Sequence, residues 1–256
     1  MPETPRTLEI ARTLASSFHD DQSYATEKLG WVYNPLDYAW PACARYIETY
    51  GTRVGRRALF LGMNPGPWGM AQTGLPFGDV VAVRDWMGIE EEIGQPTEIA
   101  PKRPVKGFDI GRREVSGTRL WGWAEARWET ADAFFNECFV WNYCPLMFLE
   151  RENARNLTPD KLLKVDRDWV LPPCDEALEQ LVDELEIEWV IGVGRFAKSR
   201  ADKVFAGTRV KTGQILHPSP ASPAANKNWS GKIEAQLDEL GVFGDRFAKN
   251  KESDDA

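Results

Sequence analysis

At 256 residues, 43% of them hydrophobic, the chain is long enough to bury a substantial core as one large domain or two small ones. There is no charged-then-apolar leader and no apolar run near the roughly 18 residues that span a bilayer, so neither secretion nor membrane contact is indicated and the expected setting is intracellular. A net charge of −8 speaks against a polyanionic partner unless the cations are gathered on one face, because phosphate binding rests on Lys and Arg.

Residues 5–18 carry apolar side chains at Leu8, Ile10, Ala11, Leu14 and Ala15, which is helical spacing, and His19 follows as a partner for the helix dipole. Residues 31–40 are aromatic and lead, past Pro35 and Pro41, into a helical pattern over 42–50 that is expected to pack over the segment after it. That segment starts as a buried strand, residues 58–61, and breaks into a loop crowded with Gly and Pro up to Asp79. Loops at strand ends are where ligands sit in open α/β sheets. Its glycines let backbone N–H groups approach a ligand and its prolines stiffen the path, while Asn64 is its amide and Phe77 the aromatic at its far end.

Residues 80–87 read as a helix and 90–116 as an irregular loop with no legible chemistry. A helix over 118–128 carries Trp121, Trp123 and Trp128, a stripe assigned to the core. A second strand, 137–143, ends at Asn142. After a polar loop, Thr158 and Pro159 mark a helix start, and 174–185 form an acidic amphipathic helix whose acids, continuing to Glu188, are expected to face solvent. A third strand, 188–193, leads through Gly192 and Gly194 into a helix over 195–205, and a fourth, 210–216, ends at His217 before another Pro-rich loop. The tail from residue 249 is polar and expected to fray.

Strands alternating with helices predict a three-layer α/β/α sandwich around a central, mostly parallel four-stranded sheet. No linker or repeat interrupts it, so 1–256 reads as a single domain with its core at about 30–242. A parallel sheet brings Asn64, Asn142 and His217 to one edge. Gly192-x-Gly194-x-x-Ala197 loosely matches a dinucleotide fingerprint, but the next strand ends without the acid that would hold a ribose, and close helix packing explains the glycines. The cysteines, Cys43, Cys138, Cys144 and Cys174, lack the Cys-x-x-Cys spacing of metal sites and read as buried thiols. Residues 195–232 hold eight Lys or Arg against Asp202 alone, a candidate basic face.

With Gly62-Met63-Asn64-Pro65-Gly66-Pro67-Trp68-Gly69-Met70-Ala71-Gln72-Thr73-Gly74 and His217-Pro218-Ser219-Pro220 in view, the chain closely resembles the single-strand-selective monofunctional uracil-DNA glycosylases. The likeness also takes in Gly30–Pro35, Glu114–Gly117, Asn142–Leu146 and Asn156–Pro159, in family order. It implies hydrolysis of the N-glycosidic bond of uracil, and of some uracils modified at C5, in DNA, by a monomer without metal or organic cofactor. It implies that Asn64 positions the attacking water, Phe77 stacks on the base, Asn142 reads the base edge and His217 supports the departing base. Met63, Gly66 and Met70 would line the uracil pocket. The DNA-binding set would be Ser219, Pro220, Ala221, Ser222, Pro223, Ala224, Asn226 and Lys227, with Asn156; Ser222 and Pro223 read as a capped start of a short helix that wedges into duplex DNA. Ala221 and Ala224 stand where an arginine and a longer polar residue are usual, so the wedge is smaller and single strands should be the better substrate. The compartment would be cytoplasmic in a bacterium and nuclear in a eukaryote.

The residues also make chemical sense of this reading. An amide cannot accept a proton at neutral pH, so the bond to the base must break first, leaving a sugar oxocarbenium ion and a uracil anion that a neutral His217 can stabilise at O2. Asp79 is the alternative, a conventional base. Two other readings remain open: a glycosylase of the same scaffold preferring a base such as xanthine, and a module that binds damaged DNA without cutting.

Overall fold

The computed structural model describes residues 4–18 and 23–244. His19 and the tail from 249 therefore lie outside the described residues. In chain order the elements are α1 (Arg6–Ser16), β1 (Leu29–Tyr33), α2 (Pro35–Tyr38), α3 (Trp40–Tyr50), β2 (Ala58–Gly62), α4 (Met70–Thr73), α5 (Val115–Trp128), α6 (Ala131–Glu137), β3 (Cys138–Asn142), β4 (Met147–Glu150), β5 (Asn156–Leu157), α7 (Lys164–Glu184), β6 (Trp189–Val193), α8 (Arg195–Val204), β7 (Lys211–Ile215) and α9 (Trp229–Leu240).

The expected four-stranded sheet is present, wholly parallel, in the order β3-β2-β6-β7. β2 and β3 are buried along their full length, as strands covered on both faces must be, whereas edge strand β7 keeps Lys211 and Gln214 exposed. One group of helices, α7 and α8, packs on β2, β6 and β7 through α8; another, α3, α5, α6 and α9, meets the sheet through α6 on β3 and α9 on β7. Trp121, Trp123 and Trp128 are core, as expected, in a nest of edge-on rings with Phe60 and Phe134. All four cysteines are buried free thiols. No helix among the described residues is long and apolar enough to cross a membrane.

Several expectations need correction. A second, antiparallel sheet, β1-β4-β5, was not expected; Gly30, whose Cβ would fall 2.5 Å from the Arg151 Cα, interrupts the pattern of β1, and β4 and β5 are short. Helix α6 was also missed, although Thr130 accepts the Ala133 N–H (3.2 Å) as a side-chain cap. α7 begins ten residues before the expected start, running through Pro172 and Pro173, because Val170 on one side of the prolines and Cys174, Leu178 and Leu181 on the other are all buried in the same core. Thr158 and Pro159 open only a single 3-10 turn, with no side-chain cap. Residues 80–87 do turn helically, but as a widened π turn over Ala82–Trp86.

The segment over the Gly/Pro loop packs as expected. The Tyr38 hydroxyl donates to Ala71 O (2.6 Å), and Gly74, at φ 78°, has Ala39 and Cys43 where a side chain would be.

Candidate active site

Parallel pairing puts every strand end of the larger sheet on one edge. Gly62 stands opposite Asn142, and the ladder continues past both strands: Tyr143 N donates to Gly62 O (3.0 Å) and Cys144 N to Met63 O (2.9 Å). On the other flank Val193 pairs with Ile215, and Gly194 N donates to Ile215 O (2.9 Å). Asn142 and His217 thus terminate strands three places apart, about 14 Å at the usual inter-strand spacing, with Asn64 between them. A pocket of about 400 Å³ opens there. Met63, Asn64, Gly66, Met70, Phe77, Asn142, Asn156, His217, Ser219 and Pro220, all expected at the site, line it.

Gly62 makes the floor possible. A Cβ there would lie 2.1 Å from Asn142 Oδ1 and 2.8 Å from Phe77 Cε2, so the missing side chain leaves room for the amide and the ring. Phe77 has φ 52°, a conformation costing on the order of 1–3 kcal/mol outside glycine. The surroundings hold it: its carbonyl accepts Trp121 Nε1–H (2.9 Å) and Asp79 N–H (2.7 Å), and Gly117 has no Cβ to strike that carbonyl. The Phe77 and His217 rings lie 6.2 Å apart, tilted by 47°.

The polar atoms are divided between scaffold and pocket. Asn64 Nδ2 donates to Leu146 O (3.1 Å), and Asn156 Nδ2 donates to Pro65 O (3.1 Å) from alongside. Among the described residues Asn64 Oδ1 accepts no hydrogen bond, so an acceptor faces the pocket. The buried Asn142 donates from Nδ2 to the Met70 sulfur (3.2 Å), a soft acceptor that orients the amide. His217 Nδ1 accepts Ser219 N–H (3.0 Å), so the single proton of the neutral ring sits on Nε2. Burial pushes the pKa of this histidine down to about 4, which keeps it neutral at ordinary pH. Gly194, at φ 92°, leaves the space that His217 Cβ fills.

Asp79 is removed as a base. It is fully buried, does not line the pocket, and spends its carboxylate on Arg113 (2.6–2.9 Å) and Glu114 N–H (3.0 Å). The loop expected to lack chemistry instead supplies pocket wall through Arg112, Arg113 and Glu114. Glu114 caps α5 through Ser116 N (3.2 Å) and lies against Gly66 and Gly69, where Cβ atoms would approach it to 3.1 and 3.0 Å; burial raises its pKa. Sequence periodicity gives no sign of this, because an aperiodic loop reaches the pocket only through the fold.

The expected wedge is one 3-10 turn, Pro223–Asn226, anchored by buried Ala225 and without a Ser222 side-chain cap. Ala221, Pro223, Ala224, Asn226 and Lys227 are exposed beside the pocket, and together with the half-buried Ser222 none of them lines it. Asn226 is held by Pro220 O (3.0 Å) and by Arg119 Nη2 (2.9 Å).

The expected basic face is neutralised in part, at four of its eight cations. Lys198 pairs with Asp202 (2.6 Å), Arg200 and Lys203 with Asp175, and Lys211 with Glu188 (3.0 Å), so Asp175 and Glu188, expected to be merely solvated, are its counter-ions.

Comparison with known proteins adds an independent line. A family model described as the uracil DNA glycosylase superfamily matches residues 49–240. A single-strand selective monofunctional uracil-DNA glycosylase of Rattus norvegicus is 44% identical over 244 residues, 91% of this chain and 87% of that protein. Its counterpart in Mus musculus is 43% identical over 247 residues, 92% and 88% respectively. Among solved structures, a crystal structure of Pedobacter heparinus SMUG2 superposes with a TM-score of 0.63 over 91% of this chain and 97% of that one, at 18% identity, a likeness of fold alone.

Proposed function

Since the chain belongs to the uracil DNA glycosylase superfamily and, within it, to the single-strand-selective monofunctional uracil-DNA glycosylases, we propose that Asn64 and His217 are the residues that carry its reaction. That reaction is DNA repair by hydrolysis of the N-glycosidic bond of uracil. The observation that supports the assignment is the division of polar atoms: Asn64 Oδ1 and His217 Nε2–H are turned free by backbone partners that occupy the other end of each side chain.

Asn64 Oδ1 accepts from a water and aims it at the sugar. It is too weak a base to deprotonate that water while the sugar is neutral, so the bond to the base breaks first. The electron pair leaves with the base, His217 holds O2 of the uracil anion by a hydrogen bond from Nε2–H, and the aimed water then adds to the oxocarbenium ion and gives up its proton to the uracil anion or to bulk water. A neutral donor already in place typically contributes about 3–4 kcal/mol to such a step. Phe77 forms the floor on which the ring stacks, and Asn142 pairs with the N3 and O4 edge. The base must be flipped out of any stack to reach them. Acceptance of some uracils substituted at C5 belongs to the same reading, with Gly66, Gly69 and the Glu114 side chain packed against them forming that wall of the pocket. With a wedge of small residues in a single turn, uracil in single strands is the preferred substrate and the 219–227 segment meets the DNA beside the pocket.

The test is release of uracil from a single-stranded oligonucleotide, read as abasic sites after alkali, with Asn64→Ala and His217→Ala in parallel. Each substitution should lower the single-turnover rate by about 10²–10³-fold. Variants with wild-type rates would refute the assignment.

A further inference from the structure

The mouth of the pocket carries an aromatic residue for which base removal has no use. Trp68 lines the pocket half-buried, and two guanidinium groups lie over its ring, Arg112 at 4.4 Å and Arg103 at 5.3 Å from the centroid. Neither arginine forms an ion pair with a carboxylate among the described residues, in a protein where the cations of α8 and β7 nearest the sheet are mostly paired. The group is also built and held. Gln72, 1% exposed, donates from Nε2 to Pro67 O (2.9 Å) and to Pro104 O (3.0 Å) and accepts Lys106 N–H (2.8 Å), which ties the turn bearing Trp68 to the loop bearing Arg103. The buried Tyr33 hydroxyl donates to Arg103 O (2.8 Å) and fixes that loop from the other side.

Resting on the function proposed above, we propose that Trp68 and Arg112 form a stacking platform for a nucleotide adjacent to the target in single-stranded DNA, with Arg103 beside them to meet its phosphate. An indole with guanidinium groups beside it offers π surface and positive charge in the pocket wall itself, the combination that single strands bind irrespective of sequence. A neighbour in a stable duplex is already stacked and cannot reach it. The platform therefore adds to single-strand preference independently of the small wedge.

The experiment compares two single-stranded oligonucleotides of equal length and phosphate count, one with ordinary bases flanking uracil and one with abasic residues at both flanks. Half-saturating enzyme concentrations are measured for the full chain and for Trp68→Ala, Trp68→Phe and Arg112→Gln. The native protein should favour the base-flanked strand by about 10-fold. Trp68→Ala should bring that ratio near unity, Arg112→Gln should reduce it, and Trp68→Phe should restore most of it. An unchanged ratio in both Trp68→Ala and Arg112→Gln would overturn the proposal, the exposed Arg112→Gln serving as the control should Trp68→Ala fold poorly. A native protein that releases no uracil from either strand would instead refute the function on which the proposal rests.

Discussion

At His217 two constraints act together. Burial disfavours the imidazolium, and the Ser219 amide occupies Nδ1, so the ring presents one N–H, at Nε2, to whatever fills the pocket. A group held at a pKa of about 4 against the usual 6.5 stays neutral through mildly acid conditions. Excision should accordingly keep its rate down to about pH 4.5, with the acid limb near 4; a single-turnover pH profile that falls away around 6.5 would contradict this. The same shift has a stability side. The unfolded chain takes up this proton below 6.5 and the folded one only below about 4, so the contribution is fully present above 6.5 and is lost as pH falls through that window. Its full size is about 3 kcal/mol, and urea unfolding of His217→Gln should lack that part of the acid sensitivity. Gly62 and Phe77 matter for a different reason: one has no side chain where an amide and a ring must fit, and the other holds a backbone angle that only its neighbours stabilise.

Elements are fixed by contacts far apart in sequence. Asp166, on the first turn of α7 and 5% exposed, accepts from Ala25 N and Thr26 N (2.8 Å each) and from the Thr26 hydroxyl, which pins the approach to β1 against the helix. Asp166→Ala leaves two amides there without their acceptor, so it should destabilise the fold by about 2–4 kcal/mol in urea unfolding. A change within about 0.5 kcal/mol would show that water replaces the carboxylate at no cost. The elements missed in the sequence are those whose local signals mislead. Pro172 and Pro173 read as a break, yet α7 passes through them because buried residues on either side share one core. β1 is short and its partner β4 lies more than a hundred residues away, outside any local window, while β4 and β5, which pair locally through Phe148 and Leu157, are too short to carry a strand pattern.

For the whole molecule, a net charge of −8 and a basic segment of eight cations suggested opposite things about DNA. The ion pairs of α8 and β7 with Asp175, Asp202 and Glu188 tie up four of those eight cations: Lys198, Arg200, Lys203 and Lys211. Binding to single-stranded DNA should therefore depend weakly on salt, with log K falling by about 1.4 per decade if two phosphates are met at the rim. A slope steeper than about −4 would mean that the whole segment engages the strand. By itself the sequence determined the parallel sheet, the strand ends bearing Asn64, Asn142 and His217, and the Gly/Pro loop between them, because hydrophobic runs and turn residues are local properties. Only the tertiary structure decided that Asp79 is spent on Arg113, that Glu114 and Arg112 reach the pocket from an aperiodic loop, and which nitrogen of His217 is free. Those facts depend on which groups meet across the fold, and hydrogen-bond partners and burial are set by that meeting and not by the neighbours along the chain.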